Sequence, residues 1–311
     1  MSKKLLILSD CGTRVPDFDP VFEVTALPTD ATPQQRLSAI ETAEIMIGEP
    51  TLQELQSAKN LKWLQMTWAG ADRYQKGGFP ENVALTTASG AFGQTIAEHA
   101  LALVFSLARR LPAYSRAGKW YIQGCEKQIY GATALIYGCG DIGTHIAKAL
   151  KGLQIRTIGV CREPKKRRDG FDVLTTLDCA ELFFPEADLI LCALPQNTDT
   201  IGYFDLDRLA ALKDDVILVN VGRGSFIQTQ ALTQLLQQGK FFGVGLDVVE
   251  QEPLPEGHPL WTMDNVILTP HVAGIGFGHL PETEEKIWAI CKENLRRYLA
   301  GEPLRNRVSM K

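Results

Sequence analysis

The run TALIYGCGDIGTHIAKALKGL, residues 133–153, constrains the fold of this chain more than any other stretch. An apolar, strand-like segment leads directly into a GxGxxG turn and then a helical pattern; the turn is Gly138-Cys139-Gly140-Asp141-Ile142-Gly143. In such a turn Gly138 permits the tight bend, Gly140 lets backbone N–H groups approach a pyrophosphate, and Gly143 allows close packing of helix on strand. The first helical residues, Asp141 and Ile142, then face the anion with the helix N-terminus. Because a second strand-like run, IRTIGVC, follows the helix, the pattern predicts dinucleotide binding rather than a glycine-rich turn without a ligand.

The composition is that of a folded protein without a strong overall charge. Of the 311 residues, 45% are hydrophobic and 22% are charged, and the formal net charge is -4. This balance gives no general attraction to nucleic acid or to an anionic membrane. Four apolar residues precede Ser9, too few for a signal peptide or a membrane span, and the seven cysteines form no CxxC pair. We therefore expect a cytoplasmic protein without a metal site, a nucleic-acid partner or a membrane anchor.

Short apolar runs alternate with helical patterns along the chain. About ten of them are predicted to be strands: KLLILS, AEIMIG, LKWLQMT, VALTTA, ATALIYG, IRTIGVC, LILCALP, VILVNVG, FFGVGLDV and NVILTP. Their near-continuous apolar character is typical of parallel strands covered by helices on both faces. Since one Rossmann-type sheet holds roughly six strands, the predicted fold is α/β with two Rossmann-like, doubly wound domains.

Two longer helices are predicted from the periodicity of apolar residues. TIAEHALALVFSLARRL would join the two lobes, with Arg109 and Arg110 in its last turn. A final helix would begin after Pro281, carry acidic residues in its first turn and end at Gly301.

Five basic side chains crowd the segment IGVCREPKKRRDG, residues 158–170. It lies at the end of the second strand after the glycine turn, where an NAD site commonly has an acid on the ribose hydroxyls. An acid would repel a 2′-phosphate, whereas Arg162 offers a planar, permanently charged fork and Lys165 adds positive field. The run therefore favours NADP, with NAD possible. A merely solvated basic turn stays open for Lys166 and Arg168, because consecutive side chains cannot all face one phosphate.

Three further strand ends carry polar groups at the edge where an open α/β sheet exposes its ligand cleft. Arg223 follows VILVN, Glu252 lies beyond FFGVGLDV, and His271 follows Pro270 after the last strand. Beside a nicotinamide this set would suit hydride exchange at a 2-keto acid: Arg clamps the carboxylate, His donates the proton, and the acid orients His and favours its protonated form. Each residue alone has an ordinary structural explanation, but together on this scaffold they predict an active site.

With these residues in place, the sequence resembles the D-isomer-specific 2-hydroxyacid dehydrogenase family, in particular its glyoxylate/hydroxypyruvate reductase-like, NADP-preferring members. Five motifs between about residues 90 and 280 carry the resemblance: YGCGDIGTHIAKAL, ALPQNTDTIGYF, LVNVGRGSFI, LDVVEQEPLPEGHPLW and VILTPHVAG. It implies that Arg223, Glu252 and His271 are the catalytic trio and that Asp247 contacts the nicotinamide carboxamide. It places further cofactor contacts at Leu194, Pro195, Thr200 and Val221.

The resemblance also implies a discontinuous layout. Residues 1–95 and 279–311 would form a flavodoxin-like substrate domain, and residues 96–278 would form the dinucleotide-binding Rossmann domain, with hinges near Thr95 and Gly278. Family members usually dimerise through the cofactor domain. We therefore expect a homodimer, with the helix after Thr95 as a candidate contact.

In the N-terminal part the resemblance is weaker, and MTWAGADRY fits the family's substrate loop. Backbone N–H groups of Ala69, Gly70 and Ala71 would then hold the substrate carboxylate, although without the family an ordinary strand-to-helix turn fits equally well. Trp68 stays open between lining the pocket and packing in the core.

Other positions bear on the choice of substrate or stay outside the site. Asn197, Gln228 and Gly276 depart from the residues common in the family, and none of these changes removes a catalytic atom. His99, within the joining helix, is interpreted as a packing or surface histidine.

The predicted function is reduction of a 2-keto acid to a D-2-hydroxy acid by hydride transfer from NADPH, with His271 as the proton donor. The alternative from another class is a dinucleotide-sensing regulatory protein on the same fold, which the intact Arg, Glu and His set disfavours. The sequence leaves the keto acid open, because glyoxylate, hydroxypyruvate, pyruvate and bulkier acids share the groups that Arg223 and the Gly70 loop would hold.

Overall fold

The structure is a computed structural model that describes residues 2–8, 15–28 and 30–309. Ser9, the predicted last residue of the first strand, and Cys11 lie outside the described residues. The chain divides into two compact units, Met1–Phe92 with Ile275–Lys311, and Gly93–Gly274. The chain thus passes from one unit to the other after Phe92 and after Gly274. The predicted boundaries, after residues 95 and 278, lie a few residues C-terminal to these two points.

The first unit is built on a five-stranded parallel sheet. Its N-terminal part contains, in chain order, β1 (Lys3–Leu8), β2 (Phe22–Ala26), α1 (Pro33–Thr42), β3 (Ile45–Gly48), α2 (Leu52–Leu55), β4 (Trp63–Gln65), α3 (Asp72–Gln75) and β5 (Ala84–Thr86). The strands lie in the order β2-β1-β3-β4-β5 with parallel pairing throughout. This is the flavodoxin-like order of a doubly wound sheet.

The second unit is built on a seven-stranded parallel sheet, after which the chain returns to the first unit. The elements are α4 (Gly93–Ala108), α5 (Leu111–Arg116), β6 (Thr133–Tyr137), α6 (Asp141–Lys151), β7 (Arg156–Val160), β8 (Val173–Thr175), β9 (Leu189–Cys192), α7 (Leu206–Ala211), β10 (Val216–Asn220), α8 (Thr229–Gln237), β11 (Phe241–Leu246), β12 (Val266–Leu268) and, in the first unit, α9 (Pro281–Ala300). In the strand order β12-β11-β10-β9-β6-β7-β8, successive strands are added on one side from β6 to β8 and on the other side from β9 to β12. This change of side between β6 and β9 is that of a Rossmann sheet. The predicted fold class, two doubly wound α/β domains, is confirmed.

Both faces of the seven-stranded sheet are buried, which explains its apolar strands. On β10, Val216 and Leu218 pack in one core cluster, while Ile217 and Val219 pack in the cluster on the opposite face. Helices α7 and α8 contribute to the first cluster, and α4 and α6 to the second. Because side chains alternate between faces along a strand, a strand covered on both sides needs apolar residues at every position.

Two strands, β2 and β8, escape prediction from the sequence, and both lie at sheet edges. Each pairs with one neighbour only, β2 with β1 and β8 with β7. Four of the five residues of β2 are exposed. The exposed residues of β2 and the three-residue length of β8 leave no long apolar run, whereas the other two edge strands, β5 and β12, lie in the apolar runs VALTTA and NVILTP.

The predicted helices are present with one corrected end. Helix α4 ends at Ala108, so the prediction that Arg109 and Arg110 lie in its last turn is wrong. Arg110 adopts a φ of 50°, a left-handed conformation that ends the helical path, and α5 begins at the next residue. Helix α9 begins at Pro281 and is closed by Gly301 with a φ of 67°, as the sequence predicts.

A buried polar network ties α9 and the segment after it to the N-terminal sheet. Asn294 Nδ2 donates to Gln65 Oε1 at 2.8 Å and to Arg305 O at 3.1 Å, and Arg305 N donates to Asn294 Oδ1 at 2.8 Å. Thr86 Oγ1 donates to the same Gln65 oxygen at 2.8 Å and accepts from Trp63 Nε1 at 2.8 Å. Because buried polar groups that are bonded in this way specify one arrangement, the C-terminal helix belongs with the N-terminal strands despite their separation in sequence.

Candidate active site

The glycine turn after β6 leaves room for a dinucleotide where the sequence pattern expects one. Gly138 has a φ of +106°, and a Cβ on it would lie 2.8 Å from Ala193 O. A Cβ on Gly143 would overlap the carbonyl oxygen of Gly138, whereas a Cβ on Gly140 would meet nothing within 4 Å. Packing therefore requires two of the glycines, and the third keeps open the space before the N-terminus of α6. This cradle fits a pyrophosphate, whose oxygens could accept from the unpaired N–H groups of the first helical turn.

The loop after β9 borders the same turn. A Cβ on Gly222 would lie 2.8 Å from Leu194 O, so the loops after β9 and β10 are in close contact. Thr200 Oγ1 donates to Pro195 O at 3.0 Å and accepts from Asn197 N at 2.8 Å. The hydroxyl of Thr200 thus holds the loop in shape, and Leu194 and Pro195 lie where the strand order reverses.

Arg223 follows β10 in a turn that Asn220 stabilises. Asn220 Nδ2 donates to Arg223 O at 3.0 Å, and Asn220 Oδ1 accepts from Gly222 N at 3.0 Å. Val221, between them, is buried. The Arg223 side chain is half-buried, and its Nη1 donates to Gly222 O at 2.8 Å.

Glu252, after β11, and His271, after β12, meet directly. His271 Nδ1 lies 2.8 Å from Glu252 Oε2, and Glu252 Oε1 accepts from Val249 N at 3.2 Å. The side chains are 41% and 39% exposed. With Nδ1 engaged by the carboxylate, Nε2 is the ring nitrogen left for a substrate. Since β10, β11 and β12 are parallel neighbours, Arg223 comes to the same sheet edge as this pair.

The backbone of His271 is held in a strained conformation by Asp247. The φ of His271 is 57°, and its N–H donates to Asp247 O at 2.8 Å and to Thr269 O at 3.0 Å. Asp247, 3% exposed, accepts through Oδ1 from Thr269 Oγ1 at 2.6 Å and from Val272 N at 2.9 Å, and through Oδ2 from Ala273 N at 3.1 Å. A left-handed non-glycine residue costs about 1–3 kcal/mol and persists where neighbouring bonds impose it. Asp247 therefore positions the loop that carries His271.

His99 also belongs to this network. The interpretation of His99 as a packing or surface histidine does not predict these contacts. Its Nε2 lies 3.0 Å from Thr269 Oγ1 and 3.7 Å from Asp247 Oδ1. The sequence signal is slight: His99 stands four residues before Leu103 on the buried side of α4, but its partners lie far along the chain.

We expect Asp247→Asn to lower the free energy of unfolding by about 1–3 kcal/mol. In either amide orientation the new NH2 group faces backbone or hydroxyl donors that the carboxylate now accepts from. Denaturant unfolding of the purified variant measures the loss. Asp178→Asn, at an exposed carboxylate of the same unit, should stay within about 0.5 kcal/mol of the wild type. Equal stabilities of the two variants would contradict the role given to Asp247.

In the first unit, Glu49 supports the loop that carries Ala69, Gly70 and Ala71. Glu49 Oε1 accepts from Thr67 N at 2.7 Å and from Thr67 Oγ1 at 3.0 Å. Burial raises the pKa of the Glu49 carboxyl, and the hydrogen bonds from Thr67 oppose that shift. Glu49 escaped the sequence reasoning, although it follows directly on a buried strand.

The residues of this loop differ in their exposure to solvent. Ala69 is exposed, Gly70 is half-buried and Ala71 is buried at the start of α3. Trp68 is 55% exposed, which argues against packing in the core of its own unit.

The basic segment after β7 is not uniform. Arg162, Lys165, Lys166 and Arg167 are exposed, in keeping with a solvated surface. Arg168 is half-buried, and its Nη1 donates to Cys139 O at 3.0 Å. This contact argues against a merely solvated turn at Arg168.

Within residues 2–8, 15–28 and 30–309, no cluster of three or more His, Cys, Asp or Glu side chains is arranged to hold a metal ion. None of the helices described there is long and apolar enough to span a membrane.

Comparison with known proteins agrees with this geometry. Residues 101–273 match the family described as D-isomer specific 2-hydroxyacid dehydrogenase, NAD binding domain. A crystal structure of a D-isomer specific 2-hydroxyacid dehydrogenase family protein from Aeromonas salmonicida is 30% identical over the whole of both chains, with a TM-score of 0.88. A D-isomer specific 2-hydroxyacid dehydrogenase from Xanthobacter autotrophicus, solved with NADPH and MES, is 27% identical over 99% of this chain and 98% of that one, with a TM-score of 0.81. The glyoxylate reductase of Korarchaeum cryptofilum is 31% identical over 70% of this chain and 67% of its own.

The Rossmann sheet and the residues at its carboxyl edge thus define an NAD(P)-dependent oxidoreductase. The chain belongs to the D-isomer specific 2-hydroxyacid dehydrogenase family. It is a 2-hydroxyacid dehydrogenase, as the resemblance of its motifs predicts.

Proposed function

We propose that this enzyme reduces a 2-keto acid to a D-2-hydroxy acid with NADPH, and that His271 donates the proton. The observation that carries the proposal is the 2.8 Å contact of His271 Nδ1 with Glu252 Oε2 at the carboxyl edge of the sheet. That edge also carries the glycine turn that fits a dinucleotide. The proposed direction, reduction, agrees with that of the relative from Korarchaeum cryptofilum, a glyoxylate reductase.

Each residue of the proposed site has a distinct task. NADPH, when bound, supplies the hydride. Glu252 orients the imidazole and stabilises its protonated form, so that Nε2 can deliver the proton to the keto oxygen. Arg223 binds the substrate carboxylate through its planar fork, and backbone N–H groups of Ala69, Gly70 and Ala71, in the first unit, are proposed substrate contacts.

The dinucleotide would be held by residues at the carboxyl ends of β6, β7, β9, β10 and β11. We propose the following contacts: Gly138, Gly140, Asp141, Ile142 and Gly143 in the turn, Arg162 and Lys165 at the 2′-phosphate, and Leu194, Pro195, Thr200, Val221 and Asp247 toward the nicotinamide half. Two observations support NADPH as the preferred cofactor: Cys161 or Arg162 stands where an NAD site commonly has an acid, and the relative from Xanthobacter autotrophicus was solved with NADPH.

A substrate panel tests the proposed function directly. The purified protein is mixed with NADPH or NADH and with glyoxylate, hydroxypyruvate, pyruvate or an aromatic keto acid, and the loss of nicotinamide absorbance is followed. We expect consumption of NADPH to exceed that of NADH, and chiral chromatography to show the D-product wherever the product is chiral. Binding of NADPH without consumption across the panel would instead favour the dinucleotide-sensing alternative.

We also propose that the protein is a cytoplasmic homodimer whose contact lies on the second unit. One face of α4, the candidate contact, packs in the core of its own unit, and its outer side carries the exposed Phe105. Just beyond α5, Trp120, Tyr121 and Ile122 are exposed, Trp120 fully so. A contiguous exposed apolar group of this kind marks an interaction surface. No disulfide joins the six cysteines in the described ranges, which supports a reducing compartment.

Two variants of the second unit test the dimer contact. Each replaces one exposed apolar residue with aspartate. We expect Trp120→Asp to shift the protein from dimer to monomer in light scattering, because a carboxylate cannot be buried unpaired in an apolar contact. Leu182→Asp, at another exposed apolar side chain, should leave the dimer intact. A dimeric Trp120→Asp variant would exclude this surface as the contact.

A further inference from the structure

Arg168 differs from the other basic residues of its segment in being held against the glycine turn. Its guanidinium donates through Nη1 to Cys139 O at 3.0 Å, and Cys139 is the second residue of the GxGxxG turn. The four other basic side chains, Arg162 among them, are exposed. Arg168 is therefore already ordered on the surface where the cofactor would bind.

The position of this contact corresponds to the ribose end of a Rossmann site. Gly138 N donates to Val160 O at 3.0 Å, and Cys139 Sγ lies 3.5 Å from the same oxygen, so the glycine turn adjoins the end of β7. In Rossmann domains the adenosine ribose is recognised from the end of this second strand, and its 2′ substituent is what distinguishes NADP from NAD. Arg168, in the segment that follows β7, thus contacts the glycine turn, and these two elements border the ribose.

Among the residues that the structure describes, no carboxylate forms an ion pair with Arg168. Arg168 Nε is buried without a hydrogen-bond partner. Burial raises the pKa of the Cys139 thiol to about 12, so that thiol stays neutral. Buried polar atoms without partners are rare in native proteins and call for a ligand, a water or an ion. A phosphate dianion supplies acceptors that this part of the chain does not.

We propose that Arg168 is the main specificity-determining residue for the 2′-phosphate of NADPH, ahead of Arg162. The inference rests on the proposed use of NADPH and assigns its recognition to a residue that the sequence left undecided. An exposed arginine loses side-chain freedom when it orders on a phosphate, whereas Arg168 is held in place by Cys139 O before binding. Its guanidinium can also donate several hydrogen bonds to one phosphate at once.

Binding measurements with adenosine fragments test the proposal without using hydride transfer. Adenosine 2′,5′-bisphosphate and AMP are titrated calorimetrically into the wild type, Arg168→Met and the matched variant Arg162→Met, followed by NADPH and NADH. We expect Arg168→Met to weaken adenosine 2′,5′-bisphosphate and NADPH by about 10–100-fold and AMP and NADH by less than about threefold. Arg162→Met should weaken the 2′-phosphorylated ligands by less than about tenfold.

The outcomes separate this inference from the proposed function. If Arg168→Met keeps the wild-type ratio of NADPH to NADH affinity, or if Arg162→Met alone loses it, the role of Arg168 is refuted while the dehydrogenase stands. If the wild type binds neither NADPH nor NADH, the proposed function itself fails. Thermal unfolding without ligand checks each variant. Should Arg168→Met not fold, Arg168→Lys decides, because it keeps the charge but loses the fork: partial loss confined to 2′-phosphorylated ligands supports the inference, and unchanged affinities overturn it.

Discussion

Replacement of His271 by alanine is expected to lower kcat for the keto acid by about 10²–10⁴-fold, the range of a lost general acid. The dissociation constant of NADPH should change by less than about threefold, because His271 is proposed to act on the substrate and not on the dinucleotide. The backbone of residue 271 should persist, since its hydrogen bonds to Asp247 and Thr269 use the main-chain N–H. Steady-state kinetics together with fluorescence titration of NADPH measure both quantities.

Two further variants make the result specific. Glu252→Gln keeps an acceptor for Nδ1 but removes the charge that stabilises the imidazolium, so it should lose less activity than His271→Ala. His258→Ala is the matched control: the His258 ring accepts from Leu260 N at 3.3 Å and caps a short helical turn in the same unit. A His271→Ala enzyme with wild-type kcat would refute the assignment of the proton donor.

Gly143→Ala should lower the stability of the fold, whereas Gly140→Ala should lower the affinity for NADPH, although the two glycines belong to one turn. Gly143→Ala places a methyl group on the carbonyl oxygen of Gly138, and we expect the free energy of unfolding to fall by about 3 kcal/mol or more. Gly140→Ala meets no protein atom within 4 Å, and its φ of -82° suits any residue, so the fold should keep its stability within about 0.5 kcal/mol. Its methyl group enters the space proposed for the pyrophosphate, and NADPH affinity should fall at least about tenfold.

Denaturant unfolding and calorimetric titration of NADPH on both variants test the pair. Gly152→Ala provides a control, because Gly152 ends α6 with a φ of -61° and a Cβ there would meet only Ala149 O at 3.5 Å, an ordinary contact. A Gly140→Ala protein with wild-type affinity would place the pyrophosphate elsewhere. A fully stable Gly143→Ala protein would contradict the close packing of α6 on β6.

The strands were predictable to the extent that they are buried. Those of the sheet interiors carry continuous apolar runs, because both of their faces are covered by helices, and a window of a few residues reveals them. Strands β2 and β8 could not be recognised in this way, since four of the five residues of β2 are exposed and β8 has only three residues. Likewise the end of α4 depended on a left-handed residue, Arg110, that the helical periodicity does not mark.

Within the candidate site, the nature of each contact decided how far the sequence could predict it. The glycine turn is a local feature, because it is one bend between one strand and one helix. Six consecutive residues form this bend, so the sequence alone reveals it. The Arg, Glu and His set could be expected at one sheet edge, because parallel strands bring their carboxyl ends together.

By itself, then, the sequence determined the two doubly wound sheets, the glycine turn and the family, because each is written in short segments whose backbone preferences and burial act locally. Only the tertiary structure decided that His99 reaches the Asp247 network, that Glu49 supports the Thr67 loop, and that Arg168 rather than an exposed neighbour contacts Cys139. These contacts join residues 18 to 170 positions apart. Which side chain fills such a contact depends on how the loops at the sheet edges pack in three dimensions, and no local pattern encodes that packing.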